Sequence, residues 1–140
     1  MILLDTDHVS VLKYRTGDRY TALAGRLADA NEPYGTTIVT VEEQMRGWMS
    51  AIAKERLVAR QVTAYRELGQ LFSFYAKLAL AAFDEAAAAR FDELRAGGVR
   101  VASMDLKIAA ITLVQGARLL TANRKDFEKV PGLRFENWLD

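Results

Sequence analysis

The chain has 140 residues, 51% hydrophobic and 26% charged, a size and balance that predict one domain spanning 1–140 with a sizeable apolar core. It contains no cysteine and one histidine, His8, which excludes disulfides, thiolate metal sites and multi-histidine zinc sites within the chain. A net charge of +1, from 19 basic and 18 acidic residues, neither marks nor excludes a nucleic-acid partner.

Residues 2–4 predict a short buried strand that runs into Asp5-Thr6-Asp7, a good helix cap. No basic n-region or cleavage site accompanies this N-terminal segment, and no apolar run approaches the ~18 residues of a membrane span. The expected setting is therefore the cytoplasm, with no membrane partner. Tyr20, Leu23, Ala24 and Leu27 recur at helical spacing, predicting a helix over 18–30 that ends before Pro33. Thr36 to Val39 reads as a second strand. Thr40-Val41-Glu42-Glu43 then fits a capping box, with Thr40 as N-cap and Glu43 as its reciprocal partner.

Met45, Trp48, Met49 and Ile52 continue that helix on one apolar face. A further helix is predicted over 54–76, with Val58, Val62, Tyr65, Leu68, Phe72 and Tyr75 on one side. Phe72, Phe74 and Tyr75 read as core or as a self-association surface. Residues 78–80 fit a brief strand or a connector, and Asp84 opens an Ala-rich helix closed by Gly97-Gly98. Residues 99–101 read as a third strand, 105–114 as a buried helix, 118–121 as a fourth strand and 133–136 as a fifth. Strands alternating with helices predict a three-layer α/β/α fold around a short, mostly parallel sheet.

Four acids, Asp5, Glu42, Asp105 and Asp126, each follow an apolar or β-branched run. In an open parallel sheet, residues beyond the strand carboxyl ends share one crevice. Carboxylates converging there repel one another, and a hard cation such as Mg²⁺ or Mn²⁺ removes that repulsion. Assigning Glu43 to the capping box leaves Glu42 free for the site. Arg46 either pairs with Glu42 across one helical turn or clamps a phosphate. Asp5 and Asp105 also fit plain N-caps, and His8 fits a satisfied structural residue better than a base or ligand. Lys13, Arg15, Arg19, Arg124 and Lys125 are candidates for a basic rim, with solvated charge as the commoner explanation for each. No phosphate loop, dinucleotide fingerprint or serine-nucleophile elbow is present.

Taken in order, Ile2-Leu3-Leu4-Asp5-Thr6-Asp7, Thr40-Val41-Glu42-Glu43, Met104-Asp105-Leu106-Lys107-Ile108-Ala109-Ala110 and Leu120-Thr121-Ala122-Asn123-Arg124-Lys125-Asp126-Phe127 resemble the PIN-domain ribonucleases. Pro131-Gly132-Leu133 and Asn137-Trp138 extend the resemblance to the end of the chain, and the nearest subgroup is the VapC toxins of bacterial toxin–antitoxin pairs. The resemblance implies a Mg²⁺- or Mn²⁺-dependent endoribonuclease acting on tRNA or another structured RNA. It also implies a homodimer and inhibition by a small cognate antitoxin. By matching positions, Asp5, Glu42 and Asp105 take the places of the family's first three acids, as metal ligands. The fourth falls on Asn123, where many relatives carry aspartate, with Asp126 as the alternative source of charge. Asp7 also departs from the pattern, because asparagine is usual there. Thr6 and Thr121 take the role of hydroxyls that orient carboxylates or metal-bound water.

Two other readings compete. Leu4-Asp5-Thr6-Asp7 also matches the start of a haloacid-dehalogenase-type phosphatase, with Asp5 as nucleophile and Asp7 as acid/base. The neutral Asn123 gives some support to a non-catalytic PIN-like module that binds RNA or a partner without cutting.

Overall fold

The computed structural model describes residues 1–140. Ile2–Leu4 forms β1, and its period-two alternation sends Leu3 into one apolar cluster and Ile2 and Leu4 into another on the opposite face. The strand is central: it pairs in parallel with β2 (Tyr34–Thr37) on one side and with β4 (Arg118–Leu120) on the other. β3 (Ala79–Ala81) extends the sheet beyond β2, and β5 (Phe135–Glu136) extends it beyond β4. All five strands are parallel in the order β3-β2-β1-β4-β5.

Helices cover both faces, as the alternation of strand and helix predicts. α1 (Thr6–Tyr14), α2 (Gly17–Ala30) and α4 (Val62–Tyr75) bury Val9, Leu12, Leu23, Leu27, Leu71 and Tyr75 on one face. α5 (Glu85–Ala96), α6 (Ser103–Val114) and the short α7 (Arg124–Phe127) bury Ala87, Leu94, Leu106, Ile108, Ile111 and Phe127 on the other. α3 (Ile38–Lys54) supplies Val39 to the second cluster and Val41 to the first, so its first turns bridge the two layers. The expected three-layer architecture is present, and no helix is long and apolar enough to cross a membrane.

Three local expectations are corrected. Residues 99–101 are not a strand; the chain there is the link between α5 and α6, turned by a bond from the Val99 amide to the Leu94 carbonyl. The edge place goes instead to Ala79–Ala81. A Cβ on Gly35 would collide with the Ala79 carbonyl, so glycine at that position is what lets β3 approach. The continuous helix over 54–76 is broken: α3 ends at Lys54, a single 3₁₀ turn covers Val58–Gln61, and α4 follows. Its predicted apolar stripe divides: Val58, Val62, Tyr65 and Phe72 are exposed, whereas Tyr75 is buried with Ala64 and Leu71, and Leu68 packs half-buried against the same cluster.

The third correction moves a helix start. The second strand ends at Thr37 rather than Val39, and α3 is capped by Thr37, whose Oγ1 accepts the Thr40 amide at 3.1 Å. Thr40 lies inside the helix, fully buried, with its hydroxyl 3.2 Å from that of Thr37. No capping box forms, and Glu43 is released from the role assigned to it.

Candidate active site

The chain leaves β1 for the β2 side of the sheet and returns on the β4 side, so the crevice between β1 and β4 at their carboxyl ends is the topological switch point. Asp5 stands there directly after β1. It caps α1, its Oδ1 accepting the Thr6 amide at 2.8 Å, while Oδ2 accepts the Thr121 hydroxyl at 2.8 Å. Asp5 therefore caps α1 from within the switch-point crevice. Burial, reinforced by the negative charges of Asp7 and Asp105, pushes its carboxyl up to about 6 despite those hydrogen bonds.

Glu43 is the acid that α3 delivers. Moving the cap to Thr37 sets the helical phase: Glu43 lies one turn after Val39, which is buried, whereas Glu42 lies one turn after exposed Ile38. Glu43 Oε1 is buried without a hydrogen-bond partner, and the carboxyl is pushed up to about 7 by burial and then by Asp5, Asp105 and Glu42. Glu42 instead forms an exposed pair with Arg46 at 2.7 Å. Glu43 thus stands within reach of the charges of Asp5 and Asp105 while Glu42 is held in an ion pair. Arg46 is spent on the ion pair. A sequence signal for this existed in the exposed spacing Ile38, Glu42, Arg46, which the assumed capping box obscured.

Asp105 sits in the first turn of α6 rather than after a strand or at the N-cap, which is Ala102 without a side-chain bond. Burial, then Asp126 and Asp7, raise its carboxyl above the usual range. Asn123 stands between Asp105 and Asp126. Its Nδ2 donates to Asp126 Oδ2 at 3.0 Å and to Asp105 Oδ2 at 3.4 Å, and its Oδ1 caps α7 by accepting the Asp126 amide at 3.4 Å. The carbonyl proposed as a ligand is thus engaged, and the amide acts as a neutral spacer between two carboxylates. Asp126 lies 3.8 Å from Lys129, and the main-chain N–H of Asn123 donates to Thr121 Oγ1 at 3.0 Å.

The remaining expected residues divide. Thr121 holds Asp5 as anticipated, whereas Thr6 Oγ1 is buried with no partner. Asp7 spends both oxygens: Oδ1 accepts the His8 amide at 2.7 Å and lies 2.6 Å from His8 Nδ1, and Oδ2 accepts the Ala122 amide at 2.8 Å. Burial would raise its carboxyl, but the His8 and Ala122 bonds outweigh that and hold it low. His8 is fully buried, its Nε2 accepting the Trp138 amide, so it is neither base nor ligand. Of the expected basic rim, Lys13 is bonded to Glu67; Arg15, Arg19 and Lys125 are exposed; and exposed Arg124 lies 3.6 Å from Glu128 one turn on. Arg124 borders a cleft of about 410 Å³ with Thr121, Phe135, Glu136 and Asn137, reached from Asp5 through its bond to Thr121.

None of the ion pairs of the chain involves Asp5, Glu43 or Asp105. Their oxygens suit a hard divalent cation, and the partnerless Glu43 Oε1 is a free donor toward one. The donor types fit such an ion, but no three acids stand close enough to form a cage around one.

No family model and no curated protein matches the chain. Among solved structures it is similar to a chain of VapBC2 from Rickettsia felis bound to a promoter DNA fragment, at 24% identity and TM-score 0.74, covering 99% of both chains. It is similar to a chain of DNA-bound VapBC from Salmonella typhimurium at 23% identity and TM-score 0.72, covering 98% of this chain and 97% of that one. VapBC-1 from nontypeable Haemophilus influenzae gives 21% identity and TM-score 0.71, with full coverage of both chains. The five-stranded parallel sheet and its helical layers together have the fold of the PIN-domain VapC structures.

Proposed function

We propose that the chain is a metal-dependent endoribonuclease and the toxin half of a toxin–antitoxin pair. The observation that carries this reading is the unpaired set Asp5, Glu43 and Asp105 at the switch point, two of them pushed up to about 6 and 7 by burial and by one another. Holding such charges together costs folding energy, which a protein keeps where the charges act. Asp5, Glu43 and Asp105 would hold Mg²⁺ or Mn²⁺, which when bound neutralises phosphate charge and acidifies water. Thr121 fixes the aim of Asp5, Asn123 separates Asp105 from Asp126, and exposed Arg124 offers a guanidinium to a backbone phosphate beside the cleft. The phosphatase alternative loses its acid/base, since both Asp7 oxygens are engaged.

The similar chains come from complexes named VapBC, and the partner expected here is a small antitoxin. The outward stripe of Val58, Val62, Tyr65 and Phe72 is the face suited to a protein contact, with antitoxin or with a second copy.

The test is RNA cleavage with and without chelator. Activity should vanish in EDTA and return with Mg²⁺ or Mn²⁺. Glu43→Gln should lower the rate on the order of 100-fold, and Glu42→Gln should stay within a few-fold of the parent. Full activity in chelator, or a Glu42→Gln loss as large as that of Glu43→Gln, would overturn the assignment.

A further inference from the structure

We propose that Asp7 and His8 form a positioning relay that fastens the site loop between β4 and α7 to the C-terminal tail at Trp138. The inference rests on the nuclease reading only for the consequence of the fastening; the relay itself stands on geometry. Three links compose it: the Trp138 amide donates to His8 Nε2 at 3.0 Å, His8 Nδ1 lies 2.6 Å from Asp7 Oδ1, and the Ala122 amide donates to Asp7 Oδ2 at 2.8 Å.

The direction of each link follows from the donors. A main-chain N–H only donates, so Nε2 presents its lone pair to Trp138, and the ring proton sits on Nδ1 and is given to Asp7. Asp7 then accepts three bonds, the third from the His8 amide at 2.7 Å. Asparagine at this position offers one acceptor and one donor. With its carbonyl on His8 its NH₂ meets the Ala122 N–H, and with its carbonyl on Ala122 its NH₂ meets the two N–H donors of His8, so either orientation breaks the relay. The aspartate that departs from the family pattern is therefore the residue the relay requires.

Both ends of the relay are anchored. Trp138 is buried, with the guanidinium carbons of Arg26 and Arg118 4.3 Å and 5.2 Å from its ring, and its Nε1 donates to Glu136 Oε1 at 3.2 Å. Ala122 lies between Thr121, which orients Asp5, and Asn123, which spaces Asp105 from Asp126. Asp7 and His8 touch none of the reacting atoms; they hold the loop that aims those carboxylates.

The experiment uses the full chain, labelled with ¹⁵N. Imidazole nitrogen shifts should place the His8 proton on Nδ1 with Nε2 bare, and a proton on Nε2 would refute the relay. His8→Leu removes both links, and with the fold retained it should speed exchange of the Ala122 amide and lower kcat by ~10–100-fold with KM little changed. His8→Gln, whose carbonyl faces Trp138 and whose amide faces Asp7, should recover most of both. A folded His8→Leu equal to the parent in exchange and kcat overturns the proposal. Should His8→Leu fail to fold, Asp7→Asn, 31% exposed at its side chain, decides by the same comparison. If the parent cleaves no RNA at all, the nuclease reading fails, and the tautomer and the Ala122 exchange decide the relay alone.

Discussion

Asn123 shows how one side chain sets the charge of the site. Its amide donates to Asp105 and Asp126 while its carbonyl oxygen caps α7, so it lowers the repulsion between two acids without adding a third. Asn123→Ala should therefore destabilise the metal-free protein by about 1 kcal/mol through the lost cap, with a further loss as the two carboxylates face each other unscreened. Asp126→Asn should act oppositely, relieving Asp105 and raising metal-free stability. Urea unfolding in EDTA checks both signs; destabilisation by Asp126→Asn would mean that its pairing with Lys129 outweighs the repulsion. Asp5 and its hydroxyl partner Thr121 are readable from the sequence because each directly follows a strand, whereas Asp105 lies in the first turn of α6, where a strand-end argument does not reach. Glu42 is chosen over Glu43 because a capping box at Thr40 claims Glu43; with the cap at Thr37 that claim lapses, and neighbours on a helix point about 100° apart.

At the scale of elements, short strands are where sequence pattern loses its force. Val99-Arg100-Val101 and Ala79-Leu80-Ala81 are equally brief, and composition favours the former as β-branched. What decides is pairing: Gly35 opens β2 to close approach, and Ala79–Ala81 lies in register against Gly35–Thr37. Gly35→Ala should force β3 away and cost ~1–3 kcal/mol, seen as a lower Tm. An unchanged Tm would show that the edge strand shifts freely. The hairpin of α3 and α4 teaches a related lesson. Its apolar periodicity is real, but periodicity records a face that needs covering and not which molecule covers it. Val62→Asp with Phe72→Asp should leave thermal stability nearly unchanged, because both side chains are exposed, while abolishing copurification with a coexpressed antitoxin or self-association in sedimentation. A collapse in Tm would instead place these residues in the core.

The whole molecule carries the cost of the site in its pH dependence. Asp5 is raised from 3.8 to about 6 and Glu43 from 4.5 to about 7, with burial the first cause of each. A raised carboxyl means that the folded state holds protons the unfolded chain has released, so unfolding becomes easier as pH rises across that interval. Stability should be fullest below pH ~4, as far as these two groups decide it, and should fall between pH ~4 and ~7 by a few kcal/mol in total. This is opposite to acid denaturation driven by paired carboxylates, and Asp7, held low by His8 and Ala122, pulls the other way at the acid end. A divalent cation binds the deprotonated acids, so Mg²⁺ should raise Tm at pH 8 and do little at pH 5. Glu43→Gln removes one titrating group and should flatten the slope between pH 5 and 7 while shrinking the Mg²⁺ effect. Melting curves at pH 5, 6, 7 and 8, with EDTA or with Mg²⁺, read all of these signs in one series. If metal-free stability rises steadily from pH 5 to 8, the carboxylates are not the strained cluster described, and their claim to a cation falls with it.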